Sequence, residues 1–321
     1  MTQNSDFDQR VVLVTGGTKG IGRGIAEGFL AEGATVVVCA RNAPEALPAA
    51  DGRSAEFLSC DVREADAVRA LVGAIVQRHG RLDVLIHNAG GSPPVDAATV
   101  SPRFHEGVIR LNLTAALHMA QAANAAMQQQ ATGGVIVFIG SVSALRPSPG
   151  TAAYGAAKAA VLSLASSLAV EWAPKVRVVA VSPGLVRTEQ SHLHFGDEAG
   201  IAAVGATIPA GRMAEPSDIA QACVFVASPR AAEASNLGGG KANACSILEA
   251  FRLGEEFSAS RKTDDARKPG SCLELYDAAR SPSYHVCHWS LWPRSLVGAK
   301  RHESRLDATV LSPGRCGWDR V

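Results

Sequence analysis

Short, almost continuously apolar runs alternate with longer stretches of helical pattern over the first 230 or so residues of this 321-residue chain. Strands buried on both faces of a parallel sheet have such sequences, because neither of their faces meets water. Strict alternation of strand and helix indicates right-handed βαβ units. The pattern therefore predicts an α/β fold of Rossmann type, a doubly wound parallel sheet between two layers of helices. We expect strands at 11–15, 35–39, 56–60, 84–86, 135–139 and 176–181, and helices at 21–31, 64–79, 102–130, 153–172 and 216–227.

The pattern stops near residue 232, where the composition also changes. Three of the four Trp and four of the seven Cys follow that point. No sustained period of two or 3.6 residues continues there. We therefore interpret 1–231 as one domain and 232–321 as a poorly structured tail.

Charge and cysteine usage narrow the classes of partner and compartment. The chain has 31 Lys+Arg against 30 Asp+Glu, a net charge of +1, so nothing electrostatic favours nucleic acid or an anionic membrane as a partner. No apolar run approaches the roughly 20 residues that a membrane-spanning helix needs. The polar, acidic start is unlike a secretory signal, and seven irregularly spaced Cys do not form a disulfide framework. We expect a cytoplasmic protein.

A glycine-rich loop lies between the first predicted strand and the first predicted helix, with the spacing TGxxxGxG from Thr15 to Gly22. Glycines allow a sharp turn and a close approach of the backbone to a pyrophosphate, whose charge the helix N-terminus receives. A strand–helix turn without a ligand is the alternative. The candidate cofactor-binding residues of this loop are Gly16, Thr18, Lys19, Gly20, Ile21 and Gly22.

The residues at the end of the second strand indicate which cofactor is bound. An acidic residue there would hold the adenosine ribose hydroxyls and repel a 2′-phosphate. This chain has Arg41 instead, and Lys19 lies in the glycine loop. Two cations suit a phosphate, so NADP(H) is predicted over NAD(H). The alternative is that both are ordinary surface charges.

Tyr154 and Lys158 are four residues apart at the start of a long predicted helix, so they share a helix face. An unperturbed Tyr titrates near 10, and a neighbouring cation is expected to lower that pKa toward the range useful for proton transfer. An amphipathic surface pair is the alternative for this motif alone. Ser141 strengthens it, because it directly follows the strand at 135–139 and therefore lies at the ligand-binding edge of the sheet.

These motifs resemble, in order and spacing, the short-chain dehydrogenase/reductase family, in its branch with a TGxxxGxG loop. The resemblance runs from about residue 10 to residue 231. It adds four motifs. Asp61 follows the third strand, Asn88-Ala89-Gly90 the fourth and Ser182-Pro183-Gly184 the sixth. Asn112 lies in the predicted helix between the fourth and fifth strands.

The resemblance implies a role for each residue. Tyr154 would be the acid–base residue, Lys158 would lower its pKa and bind the nicotinamide ribose, and Ser141 would hydrogen-bond the substrate oxygen. Asn112 would hold a water of the proton relay. Cofactor contacts are implied for Asp61 and Val62 at the adenine, for Asn88, Ala89 and Gly90 along the cofactor, and for Thr188 at the carboxamide. Pro183 and Gly184, in the turn after the sixth strand, are also implied to bind the cofactor. Capping and turn roles are the alternatives for the Asn, Asp and Ser-Pro-Gly positions.

Two departures from the family pattern matter. His87 stands where a second Asn is more frequent, and we interpret it as a tolerated strand-end residue. The β-branched run of the family's last strand is absent after Ala231, so we hypothesise that the tail is foreign to the fold, for instance the product of a shifted reading frame. An added interaction segment is the alternative. The change also weakens the family expectation of a homodimer or homotetramer.

The resulting prediction is an NADP(H)-preferring short-chain enzyme that interconverts a small-molecule carbonyl and alcohol, without a metal. The rivals are a non-catalytic NADP(H)-binding regulator on the same fold and an inactive product with a disrupted C-terminus. The segment 189–210, between Thr188 and the next helix, is expected to form a semi-apolar lid over the substrate.

Overall fold

A computed structural model describes residues 5–231 of the chain. Its strands are β1 (Val11–Thr15), β2 (Thr35–Ala40), β3 (Ala49–Ala50), β4 (Arg53–Ser54), β5 (Glu56–Ser59), β6 (Val84–His87), β7 (Gly134–Ile139) and β8 (Val176–Val181). Six of them form one parallel sheet in the order β5-β2-β1-β6-β7-β8. The predicted doubly wound α/β class is confirmed.

Helices cover both faces of this sheet. They are α1 (Gly20–Ala31), α2 (Ala65–His79), α3 (Pro102–Ile109), α4 (Ala115–Met127), α5 (Ala152–Glu171), α6 (His192–Phe195), α7 (Glu198–Ala206) and α8 (Pro216–Ala227). The side chains of β1 show why the strands are apolar throughout. Val12 and Val14 pack toward α1 and α8, whereas Leu13 packs on the opposite face with α2, α4 and α5.

The predicted helix 102–130 is wrong as a single α-helix. A π-helical turn, Arg110–Thr114, separates α3 from α4. The Asn112 side-chain amide donates to the carbonyl of Val108, four residues earlier. A continuous α-helix would give that carbonyl to a backbone N–H, so the side chain takes the place of one ladder bond.

Four further elements were not predicted. β3 and β4 form a small antiparallel hairpin around Asp51 and Gly52, both with positive φ, and an Asp-Gly pair is a typical hairpin turn. The segment 189–210, predicted to be a semi-apolar lid, contains the short helices α6 and α7.

The expectation that no segment is long and apolar enough to span a membrane is wrong for α5 by length and composition alone. This helix has 20 residues, and an 18-residue window of it has a mean hydropathy of 1.4. Core helices pass the same test, and α5 carries the buried Val161, Ala165 and Leu168 against the sheet. Its apolar character follows from that packing.

The tail at 232–321, with the altered last strand proposed for it, lies outside the described residues. Within 5–231 the cysteines are Cys39, Cys60 and Cys223, and all three are buried free thiols.

The strand order creates a crevice. From β1 the chain runs outward to β2 and β5, then returns to add β6, β7 and β8 on the other side of β1. Connections from β1 and β6 therefore leave toward opposite faces, and the carboxyl ends of these strands open a gap where α/β sheets bind ligands.

Candidate active site

Most of the residues singled out in the sequence lie around this crevice. β1 ends at Thr15 and continues into the glycine loop, and β6 ends at His87 just before Asn88. β7 ends at Ile139, two residues before Ser141. Because the strands are parallel, these three segments share one edge of the sheet.

The glycine loop has the geometry of a phosphate site. Gly16 and Gly20 have φ of 63° and 54°, in the left-handed region that favours glycine. A Cβ added to Gly22 would lie 2.2 Å from the carbonyl oxygen of Gly16, so no larger residue fits this turn. α1 begins at Gly20, and its N-cap residue Lys19 makes no side-chain cap bond. The first N–H groups of α1 therefore remain suited to an anion.

Thr15, which the sequence did not mark as a site residue, organises the crevice. Its Oγ1 accepts hydrogen bonds of 3.0 Å from the backbone N–H groups of both Asn88 and Ala89. The Asn88 side-chain amide donates in turn to the carbonyl oxygens of Thr15 and Gly16, at 3.0 and 3.2 Å. Asn88 therefore fastens the glycine loop to the end of β6.

Asp61 lies at the predicted adenine end of the site, and a second unmarked residue holds it. The Arg63 guanidinium binds both carboxylate oxygens, at 2.6 to 3.2 Å. This pairing lowers the pKa of Asp61 to about 2, with a smaller contribution from Arg41. The Asp-Val-Arg sequence, with acid and base two residues apart, was the available signal. Val62 between them is 6% exposed and packs in the core, so any cofactor contact it makes comes from its backbone.

Lys19 and Arg41 are both exposed. Neither has a carboxylate within 4.0 Å among residues 5–231. The nearby acid Asp61 is already paired with Arg63. Both cations are thus available to an anionic ligand.

Helix α5 presents Tyr154 and Lys158 one turn apart. Lys158 is 3% exposed, and its Nζ donates to the carbonyl oxygen of Ile139 at 2.7 Å. The same Nζ lies 5.7 Å from the centroid of the half-buried Tyr154 ring. An ammonium has three donors, and this one finds a single protein partner among the described residues. The others are free for a ligand.

The pKa expected for Tyr154 from the sequence is wrong in direction. Burial raises the pKa of the Tyr154 phenol, and an interaction with the Ser141 side chain only partly opposes that effect. Burial also lowers the pKa of Lys158 to about 8. At neutral pH the site thus holds a protonated phenol beside a buried ammonium.

Asn112 is 1% exposed, in the π turn. Its side chain exchanges two hydrogen bonds with Gly91, donating at 2.9 Å and accepting at 2.8 Å. A Cβ added to Gly90 would lie 2.6 Å from Asn112 Oδ1 and 3.3 Å from Lys158 Nζ. The structure therefore brings Gly90, Asn112 and Lys158 together, as the resemblance implies.

The segment after β8 completes the wall opposite the glycine loop. Pro183 accepts a backbone hydrogen bond of 3.0 Å from Val142, beside Ser141, and Gly184 follows it on the exposed side. A Cβ on Gly20 would lie 3.5 Å from the Thr188 methyl group, so Thr188 faces the glycine loop. An ion pair of 2.8 Å from Arg187 to Glu198 ties this segment to α7.

Comparison with known proteins agrees with this arrangement. The profile of the short chain dehydrogenase family matches residues 10–198, more than half of the chain. The chain belongs to the short-chain dehydrogenase family.

Several short-chain dehydrogenases are similar over most of the chain. D-threitol dehydrogenase of Mycolicibacterium smegmatis is 36% identical over 70% of this chain and 88% of its own length. A 3-oxoacyl-(acyl-carrier-protein) reductase of Vibrio harveyi is 33% identical over 71% of this chain and 93% of its own. The ligand-free aldohexose dehydrogenase of Thermoplasma acidophilum superimposes with a TM-score of 0.68 at 28% identity, over 83% of this chain and 100% of that one.

Short-chain dehydrogenases are oxidoreductases that bind NAD(H) or NADP(H) and act on small molecules. The glycine turn, the uncapped start of α1 and the spare donors of Lys158 fit such a cofactor. Within residues 5–231 no group of three or more His, Cys, Asp or Glu side chains is arranged to hold a metal ion.

Proposed function

We propose that this short-chain dehydrogenase interconverts a carbonyl group and a secondary alcohol, with Tyr154 as the acid–base residue and NADP(H) as the preferred cofactor. The juxtaposition of Tyr154 with buried Lys158 at the cofactor edge of the sheet carries the proposal. A phenol and a buried ammonium are costly to hold together without a chemical use.

The bound nicotinamide would supply or accept the hydride. In the reducing direction, Tyr154 donates its proton to the substrate oxygen as negative charge develops there. The raised pKa of Tyr154 suits this step, because the phenol stays protonated until the substrate is in place. The Ser141 hydroxyl donates to the same oxygen and stabilises the charge. In the oxidising direction, the Lys158 charge stabilises the phenolate that takes the proton back.

The remaining residues hold the cofactor and return the proton. The free donors of Lys158 would bind the nicotinamide ribose, and the glycine loop with the start of α1 would bind the pyrophosphate. Asp61 would contact the adenine, and Thr188 the carboxamide. Asn112, fixed by Gly91 and Val108, would place the relay water near Lys158.

The preference for NADP(H) is supported by Lys19 and Arg41, two exposed cations without a carboxylate partner in the described part of the chain. Asp61 stands near Arg41, but its charge is offset by Arg63. The positive charge near the expected ribose position is thus not cancelled locally, and it favours a 2′-phosphate.

The substrate is proposed only as a class. The similar proteins described above are named for a polyol, an acyl thioester and an aldohexose. Oxidation of NADPH, followed by absorbance over a panel of aldoses, small ketones, 3-oxoacyl thioesters and oxosteroids, tests the proposal directly. Turnover of at least one carbonyl is expected.

Tyr154→Phe is the decisive variant. It should lower kcat by about a hundredfold or more while NADPH still binds, because a general acid contributes that much and the ring remains. Ser166→Ala, on an exposed turn of the same helix, is the matched control and should leave kcat unchanged. Equal turnover by Tyr154→Phe and the wild type would refute the assignment of the proton donor.

The same experiments separate the rivals. A regulator would bind NADPH, seen as a change in NADPH fluorescence and a raised Tm of the protein, but would reduce none of the carbonyls in the panel. An inactive product would show neither binding nor thermal stabilisation by NADPH.

A further inference from the structure

Thr15 and His87 are paired in register on the neighbouring strands β1 and β6, at the carboxyl ends where the crevice begins. Thr15 Oγ1 and His87 Nδ1 are 3.3 Å apart. Both residues are buried: the exposed fraction is 0% for Thr15 and 2% for His87. The mechanism proposed above does not use His87.

The hydrogen bonds of Thr15 determine where the proton of His87 resides. A hydroxyl group has one hydrogen to donate and two lone pairs to accept with. Both lone pairs of Thr15 Oγ1 are occupied by the N–H groups of Asn88 and Ala89. The hydroxyl hydrogen must therefore point to His87 Nδ1, which accepts it and carries no proton. A neutral ring then has its hydrogen on Nε2.

We propose that His87 is a positioning residue of the cofactor site: as the Nε2–H tautomer, it accepts the Thr15 hydroxyl hydrogen and so directs both Thr15 lone pairs at Asn88 and Ala89. This inference rests on the proposed function, because it treats Asn88, Ala89 and the glycine loop as the cofactor cradle. His87 acts through Thr15 and touches no reacting atom.

The chain of contacts from His87 reaches the glycine loop in three steps. His87 orients the Thr15 hydroxyl, and that hydroxyl holds the backbone of Asn88 and Ala89. The Asn88 side chain then bonds the carbonyl oxygens of Thr15 and Gly16. Loss of the acceptor at His87 would leave the Thr15 hydrogen without a partner in a buried site, where such a group is costly.

The surroundings of His87 keep its ring neutral. Burial and the positive charge of Lys158, on α5, lower the pKa of His87 to about 3. On the β7 side the ring lies against Phe138 in a T-shaped arrangement, with centroids 6.2 Å apart. A protonated ring would also place a hydrogen on Nδ1, against an oxygen whose lone pairs are both occupied. Burial, the charge of Lys158 and the contact with Thr15 therefore favour a neutral ring, whose Nε2 is buried and has no hydrogen-bond partner among residues 5–231.

The tautomer can be measured directly on the full chain. In 15N-histidine-labelled protein, long-range 15N–1H correlation distinguishes a protonated Nε2 from a protonated Nδ1. Nine His are present, and the signal missing from His87→Asn identifies His87. We expect Nε2 protonated and Nδ1 bare, without titration from pH 5 to pH 8. An Nδ1–H tautomer, or a ring that titrates in this range, would overturn the proposal.

Variants test the consequence for the cofactor. His87→Phe keeps an aromatic ring against Phe138 but offers no acceptor, so the Kd for NADPH should rise roughly tenfold, with kcat within about twofold. His87→Asn should restore much of the affinity, because Oδ1 of Asn lies close to the position of Nδ1. Thr15→Val should weaken binding at least as much as His87→Phe, because it also removes the acceptor of the Asn88 and Ala89 N–H groups. The double variant should be no weaker than Thr15→Val alone.

The outcomes separate this inference from the proposed function. Equal affinity of His87→Phe and the wild type, or additive losses in the double variant, would refute the role of His87 even in an active enzyme. If no carbonyl is turned over, NADPH fluorescence still reports the affinities. The NMR measurement needs neither activity nor cofactor, and it decides the tautomer even where His87→Phe fails to fold.

Discussion

Lys158 Nζ donates to the carbonyl oxygen of Ile139 at 2.7 Å, in the place of a β-sheet hydrogen bond. In the register of β6 and β7, the N–H group due to reach Ile139 is that of Ala89. That N–H group donates to Thr15 Oγ1 instead. The strands part at this point, and the ammonium group enters between them. Helix α5 is thus fastened to the sheet where the crevice opens.

From this buried position we predict that Lys158 is needed for turnover but does not raise the stability of the fold. Lys158→Met should abolish turnover, because the charge beside Tyr154 and the donors for the ribose are lost. Its Tm at pH 7 should equal or exceed that of the wild type, since an apolar side chain of similar length removes a buried charge. Thermal unfolding and an activity assay check both parts, and a Tm lowered by more than about 5 °C would contradict the second.

The stability of the wild type relative to Lys158→Met should also depend on pH. The folded pKa of Lys158 is about 8, below its ordinary value of 10.5. Between these two values the unfolded chain binds more protons, so the contribution of Lys158 to stability rises with pH. Unfolding of both proteins by urea from pH 7 to pH 10 should show the wild type gaining on the variant. A constant difference would indicate an unperturbed Lys158.

Catalysis should follow the same titration in the opposite sense. As pH rises through about 8, Lys158 loses the charge that supports cofactor binding. Because Lys158 titrates before NADPH binds, we expect the KM for NADPH to increase above that pH. Initial rates from pH 6 to pH 10 at saturating carbonyl measure it. Lys158→Arg, which keeps its charge throughout, should show no such inflection in whatever activity remains.

The fold was predictable because its core is simple. β1, β8 and α8 have the predicted bounds, and the other predicted sheet strands differ by one residue at most. The central strands β1, β2, β6, β7 and β8 are buried on both faces, and their sequences are apolar at nearly every position for that reason. Continuous apolar runs in the sequence therefore predict the buried strands directly. They do not predict the π turn, which depends on the contacts of Asn112 with Gly91, 21 residues away.

The site was predictable in its members but not in its electrostatics. Spacing along the chain placed Tyr154, Lys158 and Ser141 together. The direction of the Tyr154 pKa depends on how deeply the fold buries the phenol, and the sequence does not contain that depth. Thr15 and Arg63 were missed for a similar reason. Each works through one specific contact, with the N–H groups of Asn88 and Ala89 or with Asp61.

Cofactor preference should change when the two unpaired cations are removed. Arg41→Ala and Lys19→Ala should each raise the KM for NADPH about tenfold, the loss expected for one charge-assisted hydrogen bond, and leave the KM for NADH nearly unchanged. Arg69→Ala is the matched control, because its exposed pair with Asp66 lies on α2 outside the site. Wild-type turnover faster with NADH than with NADPH across the substrate panel would refute the preference.

Gly90 should tolerate a methyl group poorly, because its Cβ position is enclosed by side chains of the site. In Gly90→Ala the new Cβ would stand 2.6 Å from Asn112 Oδ1 and 3.3 Å from Lys158 Nζ. Asn112 is held by hydrogen bonds with Val108 and Gly91 and has no room to withdraw. We expect kcat to fall at least tenfold and stability to fall by about 1–3 kcal/mol, as for other overpacked interiors.

Gly73→Ala is the control for that substitution. Gly73 is exposed in the middle of α2, and a Cβ there meets nothing within 4 Å. Alanine should stabilise the helix by up to about 1 kcal/mol without affecting kcat. Urea unfolding and initial rates on both variants give the comparison. If Gly90→Ala matched Gly73→Ala in both measurements, the close approach of Gly90 to Asn112 and Lys158 would not exist in solution.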